Sequence, residues 1–381
     1  MTLPNIYIKG DRIIWIVVLL LSLISILAVY TSSGKLAYAR HDGNTEHFLV
    51  KQIVLVLSGL SLMYVTHLAN YKIFSRIGQI ALVVAVPLLI LTLFTGEVNN
   101  ASRWLSIPVF DITFQTSDLA KLALILFLAR QLSRKQEQVK SFKEGFLPLM
   151  VPIGTVCVLI LPANFSTAAI LFATSMVLLY IGRVSLKYIG ALIGSALLIF
   201  ALFITIALTV KLPGRIGTWQ NRIESFMDKD SEGNYQPEKA KMAIASGGIT
   251  GLGIGHSEQR NFLPQSESDF IYAIIIEEGG LIVGGFVMLL YMILLLRVVR
   301  MVKYSPQTYA TFLAVGCCLL IMFQAMINMA VAVNLFPVTG QTLPLVSMGG
   351  SSMWFTSISI GIILCVSKYC TPDNTQTADA E

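Results

Sequence analysis

The sequence predicts an all-α protein that crosses a membrane many times, and three observations carry that prediction. Of its 381 residues, 55% are hydrophobic and 13% charged, about half the charged share of an ordinary soluble domain. Apolar runs of membrane-spanning length recur from one end of the chain to the other. The basic residues between those runs alternate from dense to sparse, as they do when successive loops lie on opposite sides of a bilayer.

The runs occur in order at 13–30, 48–66, 79–96, 118–132, 146–162, 167–182, 188–210, 269–296, 309–335 and 349–367. The first follows Lys9 and Arg12. Its apolar stretch is long for a signal peptide and no Ala-x-Ala site follows, so it reads as a retained helix. The fourth and sixth runs are short, and Lys121 interrupts the fourth. Ten spans put both termini on one side. On that count the inner segments hold 15 of the 27 Lys and Arg residues. The short outer loops hold few, Lys35, Lys51 and Arg103 among them, which makes both termini cytoplasmic. The inner loops account for the net charge of +6, so no nucleic-acid partner is implied.

The expected organisation is one membrane domain over residues 1–369, with a large external loop at 211–268 between the seventh and eighth spans. A disordered cytoplasmic tail follows at 370–381. The five cysteines (Cys157, Cys317, Cys318, Cys365, Cys370) fall in spans or at the inner end, which excludes a disulfide framework and any zinc-type spacing. In the long loop, Arg215, Trp219, Arg222 and Phe226 recur at helical spacing, predicting an amphipathic surface helix over 214–226. Residues 235–246 predict a second helix, with Pro237 in its first turn. The Gly-rich stretch 247–255 lacks the Gly-Lys-Ser/Thr of a phosphate-binding loop.

Chemistry concentrates where that loop enters the eighth span. Asp269 stands at the mouth, with Glu277 and Glu278 further along the same apolar segment. An acid near mid-bilayer costs about 2.5–3.5 kcal/mol on insertion scales, so these three are expected to be paired, neutralised or used. A straight helix puts Glu277 about 12 Å deeper than Asp269, on a shared wall, with Glu278 facing nearly the other way. The functional reading makes Asp269 a general base or metal ligand and Glu277 a deeper cation or proton site. The competing reading has Ser268 or Asp269 as a helix cap and both glutamates in structural pairs. Arg103 and Lys121 read as groups for a phosphate or pyrophosphate, with snorkelling or a salt bridge from Lys121 to Asp118 or Glu277 as the competing account. Residues 344–352, with Ser347, Gly349, Gly350 and Ser351, offer backbone donors to a polar head group, or else a capped helix start. Asn328 and Asn334 read as interhelical hydrogen bonders.

Several of these segments together resemble the SEDS family of membrane proteins, the FtsW/RodA group, over about residues 11–369. Ala101-Ser-Arg103-Trp-Leu and Phe114-Gln115-Thr-Ser117-Asp118-Leu-Ala-Lys121 are similar to its second external loop and fourth helix. Residues 262–273 with Glu277 and Glu278 are similar to its fourth external loop, and 343–352 to its last. The variants Asn164-Phe-Ser-Thr167 and Ser347-Met-Gly-Gly350 resemble the division-type FtsW more than the elongation-type RodA. The resemblance implies a peptidoglycan glycosyltransferase that polymerises lipid II at the outer face of the bacterial cytoplasmic membrane. It implies a class B penicillin-binding protein and other division or elongation membrane proteins as partners. Asp269 matches the family's essential aspartate, and Arg103, Gln115, Ser117 and Lys121 its functional polar positions. A divalent cation, Mg2+ or Mn2+, is expected at the leaving pyrophosphate, with Asp269 and Glu277 as ligands and Glu278 and Asn164 in support. A lipid II flippase or a non-catalytic scaffold of the division complex are the alternatives.

Overall fold

The computed structural model describes residues 9–34, 36, 45–94, 104–107, 112–209, 235–305 and 307–370. Arg103, the expected surface helix 214–226 and all of the tail but Cys370 lie outside these. The described residues are mostly helical, and a helix lies on each of the ten apolar ranges.

Helix α1 (Arg12–Ser32) starts at Asp11, whose Oδ1 accepts from Ile13 N at 2.9 Å, the local reason a polar residue precedes the run. Helices α2 (Thr45–Leu68) and α3 (Tyr71–Phe94) follow. An antiparallel hairpin of β1 (Trp104–Ile107) and β2 (Ile112–Gln115), pairing Trp104 with Gln115, then leads directly into α4 (Thr116–Arg134). This hairpin was not expected from the sequence. A π-turn (Phe142–Phe146) opens α5 (Leu147–Ile160). Helix α6 (Phe165–Ile181) is capped by Asn164, whose Oδ1 accepts from Thr167 N at 3.2 Å. Next come α7 (Leu186–Thr209), the loop helix α8 (Tyr235–Gly247), α9 (Ile271–Val302), α10 (Thr308–Ala332) and α11 (Ser351–Ser367).

Six of these segments are long and apolar enough to cross a membrane: α1, α2, α3, the Phe142–Ile160 run, α9 and α10. Helix α6, Leu186–Leu202 of α7 and α11 are shorter apolar helices. Helix α4 carries Asp118, Lys121, Arg130 and Arg134 and is the least apolar of the set. It tolerates them because it is central: α3 and α10 pack on it, and Leu124, Ile125, Leu128, Ala129 and Leu132 are fully buried. Around it, α10 also packs on α6, α9 and α11, while α1 packs on α9 and α2. The outer faces of α2, α3 and α9 expose large apolar side chains such as Val54, Val65, Ile80, Val83 and Ile282, as a lipid-facing surface requires.

Candidate active site

The polar residues gather at one end of the bundle, and two helices measure where that end lies. Helix α1 is tied to α9 at one end by the ion pair of Asp11 with Arg297, whose Nε reaches Asp11 Oδ2 at 2.8 Å. At the other end Arg260 Nη1 donates to Thr31 O at 3.0 Å, and Arg260 and the Thr31 hydroxyl both stand beside Glu278. From Asp11 to Thr31 is about 30 Å of helix, close to the hydrocarbon thickness of a bilayer. Glu277 and Glu278 therefore lie at the polar rim of the bundle, where the chain is long enough to have left the hydrocarbon. That position differs from the mid-bilayer depth the sequence suggests.

Asp269 sits in a series of turns before α9, half-buried. Gln265, with φ of 57°, turns the chain so that the amides of Ser268, Asp269 and Phe270 all donate to its carbonyl. Helix α9 starts at Ile271, and the residue at its cap position is Phe270, which makes no side-chain cap bond. Two other elements hold this turn. Asn328 Nδ2 of α10 donates to Asp269 O at 2.9 Å and to Gln341 O at 2.7 Å. From the loop before α11, Ser347 Oγ donates to Ser268 O at 2.6 Å, and Met348 N donates to Glu267 O at 3.0 Å. Leu343 N donates to the same Ser347 oxygen at 2.7 Å, so Ser347 ties the two loops together. Gln341 Nε2 in turn reaches Thr167 Oγ1 at 2.8 Å, in the first turn that Asn164 caps.

A second polar chain runs beneath. Lys121 Nζ, buried in α4, lies 2.8 Å from Asp118 Oδ1 and 3.4 Å from Gln324 Oε1 of α10. Gln324 Nε2 donates to Thr342 O at 3.0 Å, and Thr342 Oγ1 lies 3.2 Å from Ser352 Oγ. A narrow cleft is lined by Asp118, Lys121, Gln324, Ser352, Thr356 and Ser359, one wall each from α4, α10 and α11. Gln115 Nε2 donates to Ser117 Oγ at 2.8 Å, and Gln115 N donates to Ser351 Oγ at 3.1 Å, which fastens the hairpin to α11. Ser351 and Ser352 thus bond outward to other segments. The residue capping α11 is Gly350, with φ of 51° and no side-chain cap bond; Gly349 precedes it, half-buried.

The two glutamates face the Gly-rich stretch. The buried Glu277 carboxylate accepts from Ser257 Oγ through one oxygen and, through the other, from Glu258 N and Gln259 N, each at 3.1 Å. Glu278 accepts from Gly255 N at 3.1 Å. Helix α9 is interrupted just beyond them, at Gly280 (φ 71°, ψ −178°). Across the break Leu252 N donates to Glu277 O at 2.9 Å and Gly253 N to Glu278 O at 3.0 Å, while Leu281 N and Ile282 N donate to Gly248 O and Ile249 O at 3.0 and 3.3 Å. Two ordinary helical bonds, from 281 to 277 and from 282 to 278, are replaced by four with residues 248–253. The break therefore leaves none of these four backbone groups unpaired, which a helix near lipid cannot tolerate. At this join no side chain fits: a Cβ on Gly280 would lie 2.1 Å from Ile249 O, and one on Gly251 2.2 Å from Glu278 O.

The structure thus brings together Gln115, Ser117, Lys121, Ser347, Ser351 and the Asp269 turn at one end of the bundle, with Asn164 behind them. Glu277 belongs to the loop: both its oxygens are taken by donors at 257–259. Lys121 makes the Asp118 pair, the competing account of that residue. Gln324, Asn328, Gln341 and Thr342 are the connecting residues. Of these, Gln324 and Asn328 carry a signal in the sequence, since amides four apart on an otherwise apolar helix face one side together.

Among the described residues no three His, Cys, Asp or Glu side chains come together to hold a metal ion. With Glu277 engaged by the loop, a protein cage for a cation is not what these residues form. They fit an ion of the Mg2+ kind, which keeps one protein carboxylate and takes its other ligands from substrate phosphates and water.

A many-helix membrane protein with a polar, loop-covered site at one end of an apolar bundle is the class that fold and site define. The chain belongs to the cell cycle protein family of FtsW, RodA and SpoVE, whose profile matches residues 11–371. It is similar to stage V sporulation protein E of Bacillus subtilis strain 168, with 32% identity over 94% of this chain and 97% of that one. It is similar to the probable peptidoglycan glycosyltransferase FtsW of Trichlorobacter lovleyi, with 32% identity over 94% of this chain and 93% of the relative. In fold it resembles a chain of a solved complex described as a peptidoglycan synthase that coordinates polymerization and crosslinking. That match has a TM-score of 0.74 at 24% identity, covering 96% of this chain and 100% of the other. The rod shape determining protein RodA of Thermus thermophilus matches with a TM-score of 0.69 at 22% identity, over 97% of this chain and 100% of RodA.

Proposed function

We propose that this protein is a peptidoglycan glycosyltransferase that joins lipid II units into glycan strands at the outer face of the bacterial cytoplasmic membrane, for cell division or elongation. The observation that carries the reading is the Asp269 turn: a half-buried aspartate held through its backbone by Asn328 and Ser347, at the rim of an apolar bundle, above a buried Lys121–Asp118–Gln324 chain. Family membership and the names of the relatives support it. In this reading the chain crosses the membrane ten times with both termini cytoplasmic, and the 211–268 loop and the site face outward. Membrane lipids surround the bundle, and a class B penicillin-binding protein beside it crosslinks the product.

The Asp269 carboxylate takes the proton of the acceptor sugar's 4-hydroxyl. That oxygen forms the new bond to the donor's anomeric carbon with inversion, and the bond from that carbon to the pyrophosphate oxygen breaks. The electron pair leaves with the polyprenyl pyrophosphate. Arg103 and Lys121 stabilise its charge. Lys121 reaches it by sharing its ammonium between Asp118 and the phosphate. Ser117, Gln115, Ser351 and the backbone at Gly349 and Gly350 orient the sugar and phosphate groups. A divalent cation held by Asp269 and the substrate's own phosphates would supply further neutralisation of the leaving group. Because the lipid tails remain in the bilayer, a sugar polymerase can be built almost wholly of membrane helices.

The test incubates purified protein with lipid II and Mg2+ or Mn2+, with and without the penicillin-binding partner, and resolves products on a gel. A polymer ladder that disappears in folded Asp269→Ala is the expected result. Full activity in that variant, or no polymer from the folded unaltered protein in either condition, overturns the proposal and favours a flippase or a scaffold.

A further inference from the structure

The segment from Ser257 to Phe270 is a series of hydrogen-bonded turns. Arg260 N donates to Ser257 Oγ at 3.1 Å, opening a 3-10 turn at Gln259–Asn261. Phe262 N and Leu263 N both donate to Gln259 O. Buried Leu263 and Ser266 follow, with Ser266 Oγ donating to Ser32 O at 3.1 Å, and then the Gln265 turn that carries Asp269. Asn328 and Ser347 hold the far end of this chain of turns. Its first three residues are gathered by the Glu277 carboxylate, which takes Ser257 Oγ, Glu258 N and Gln259 N together, while Arg260 and Ser266 tie the middle of the segment to Thr31 and Ser32 of α1. Glu277 itself sits three residues before the break at Gly280, where residues 248–253 are laced to α9 by four backbone hydrogen bonds. Helix α9 therefore grips the loop by backbone at 248–253 and by side chain at Gly255, through Glu278, and at 257–259, through Glu277.

We propose that Glu277 is a positioning residue for Asp269. It acts as a hydrogen-bond acceptor that locks the start of the 257–270 segment onto α9, and its negative charge takes no direct part in proton or cation handling. The inference rests on the glycosyltransferase reading for its kinetic half only. The geometry distinguishes the two roles because a side chain that binds a cation or relays a proton presents an oxygen to the cavity, and both oxygens here are committed to the loop. An acceptor role predicts that an uncharged acceptor suffices. In Glu277→Gln the amide oxygen still accepts from Glu258 N and Gln259 N. The amide nitrogen meets Ser257 Oγ, which can reverse its hydroxyl to accept.

The experiment compares Glu277→Gln, Glu277→Leu and Ser257→Ala in full-length protein in detergent or lipid discs. It reads amide deuterium exchange across 257–270 and, separately, kcat and KM for lipid II polymerisation. The expected exchange in Glu277→Gln matches the unaltered protein, and its kcat stays within about 3-fold. In Glu277→Leu exchange across 257–270 rises at least about 10-fold, and kcat falls about 100-fold, the scale expected for a reacting group displaced by about 1 Å. KM changes little, because the lipid-binding bundle is untouched. Ser257→Ala removes one of the three donors and leaves Glu277 intact, so it gives an intermediate rise in exchange even where the leucine variant fails to fold. A glutamine variant as inactive as the leucine variant, with unchanged exchange, overturns the proposal and makes the charge itself functional. Unchanged exchange in Ser257→Ala and Glu277→Leu overturns it as well. The exchange arm needs no activity: correct exchange with no polymer from the unaltered protein defeats the polymerase reading and leaves the loop-holding role standing.

Discussion

Replacing Gly280 by alanine tests the join between α9 and the Gly-rich loop. Gly280 has φ of 71° and ψ of −178°, a region that is essentially glycine-only and costs another residue about 1–3 kcal/mol. The added methyl carbon would also lie 2.1 Å from Ile249 O, inside any tolerable contact, so the loop must lift away. The best the chain can then do is close the helix across 277–282, exchanging four hydrogen bonds to the loop for two within the helix. The net loss of two bonds, at roughly 0.5–1.5 kcal/mol each, costs about 1–3 kcal/mol. A closed helix no longer carries the φ/ψ penalty, so the two costs are alternatives and the destabilisation is about 1–3 kcal/mol by either route. Thermal unfolding in micelles measures the global effect. Deuterium exchange at Leu252 and Gly253, the two loop amides that donate to α9, measures the local one. At about 2 kcal/mol, local opening speeds exchange there about 30-fold. A Gly280→Ala protein with unchanged melting temperature and unchanged exchange at those amides would refute the account of the break.

Three further outcomes are expected. Lys121→Met leaves the buried Asp118 carboxylate without its cation and destabilises the protein by about 3–5 kcal/mol. Lys121→Met with Asp118→Asn is milder than the sum of the single variants, and a double-mutant cycle in thermal unfolding reads the coupling; additive effects would contradict the pair. Asn328→Leu orphans the carbonyls of Asp269 and Gln341, costs about 1–3 kcal/mol, and lowers the polymerisation rate more than it raises KM; an unchanged rate would show that the Asp269 turn needs no such tether. Chelation of divalent ions abolishes polymerisation and leaves the melting temperature of the substrate-free protein unchanged, because the described residues form no metal cage; a large drop in melting temperature would point to a structural metal.

Much of the architecture was legible because membrane insertion imposes rules that act along the chain. A long apolar run in lipid must satisfy its backbone internally, so each of the ten apolar ranges carries a helix, six of the segments being long and apolar enough to cross a membrane. Capping is equally local, yet Asn164, read in the sequence as support for a cation, is the cap of α6. Other features could not be read this way. The β1–β2 hairpin has only four residues a strand, and Gln115 at its end bonds to Ser117 as well as pairing with Trp104, so its pattern is weak. Asp269 looked like a helix-start residue, and only the Gln265 turn, with its positive φ, moves it off the helix. The angular relation between Asp269 and Glu277 assumes one continuous helix, and that assumption does not hold for a residue in the turns before α9. Spacing alone leaves Lys121 open to Asp118, Glu277 or a ligand, because it cannot choose among partners on different elements.

By itself, then, the sequence determined the class of protein, the helical ranges and the neighbourhood of the site, since hydropathy, charge asymmetry and the motif residues are properties of the chain taken in order. The tertiary structure alone decided what the acids do. Glu277 and Glu278 reach the rim of the bundle because α1 is tied to α9 at Asp11–Arg297 and, a helix length away, to the loop at Thr31–Arg260, which sets their depth. The carboxylate of Glu277 serves the loop because residues 257–259, about 20 positions earlier in the chain, fold back onto it. A buried charge takes whatever donors the fold delivers, and which donors arrive is settled by packing between segments, which no local pattern records.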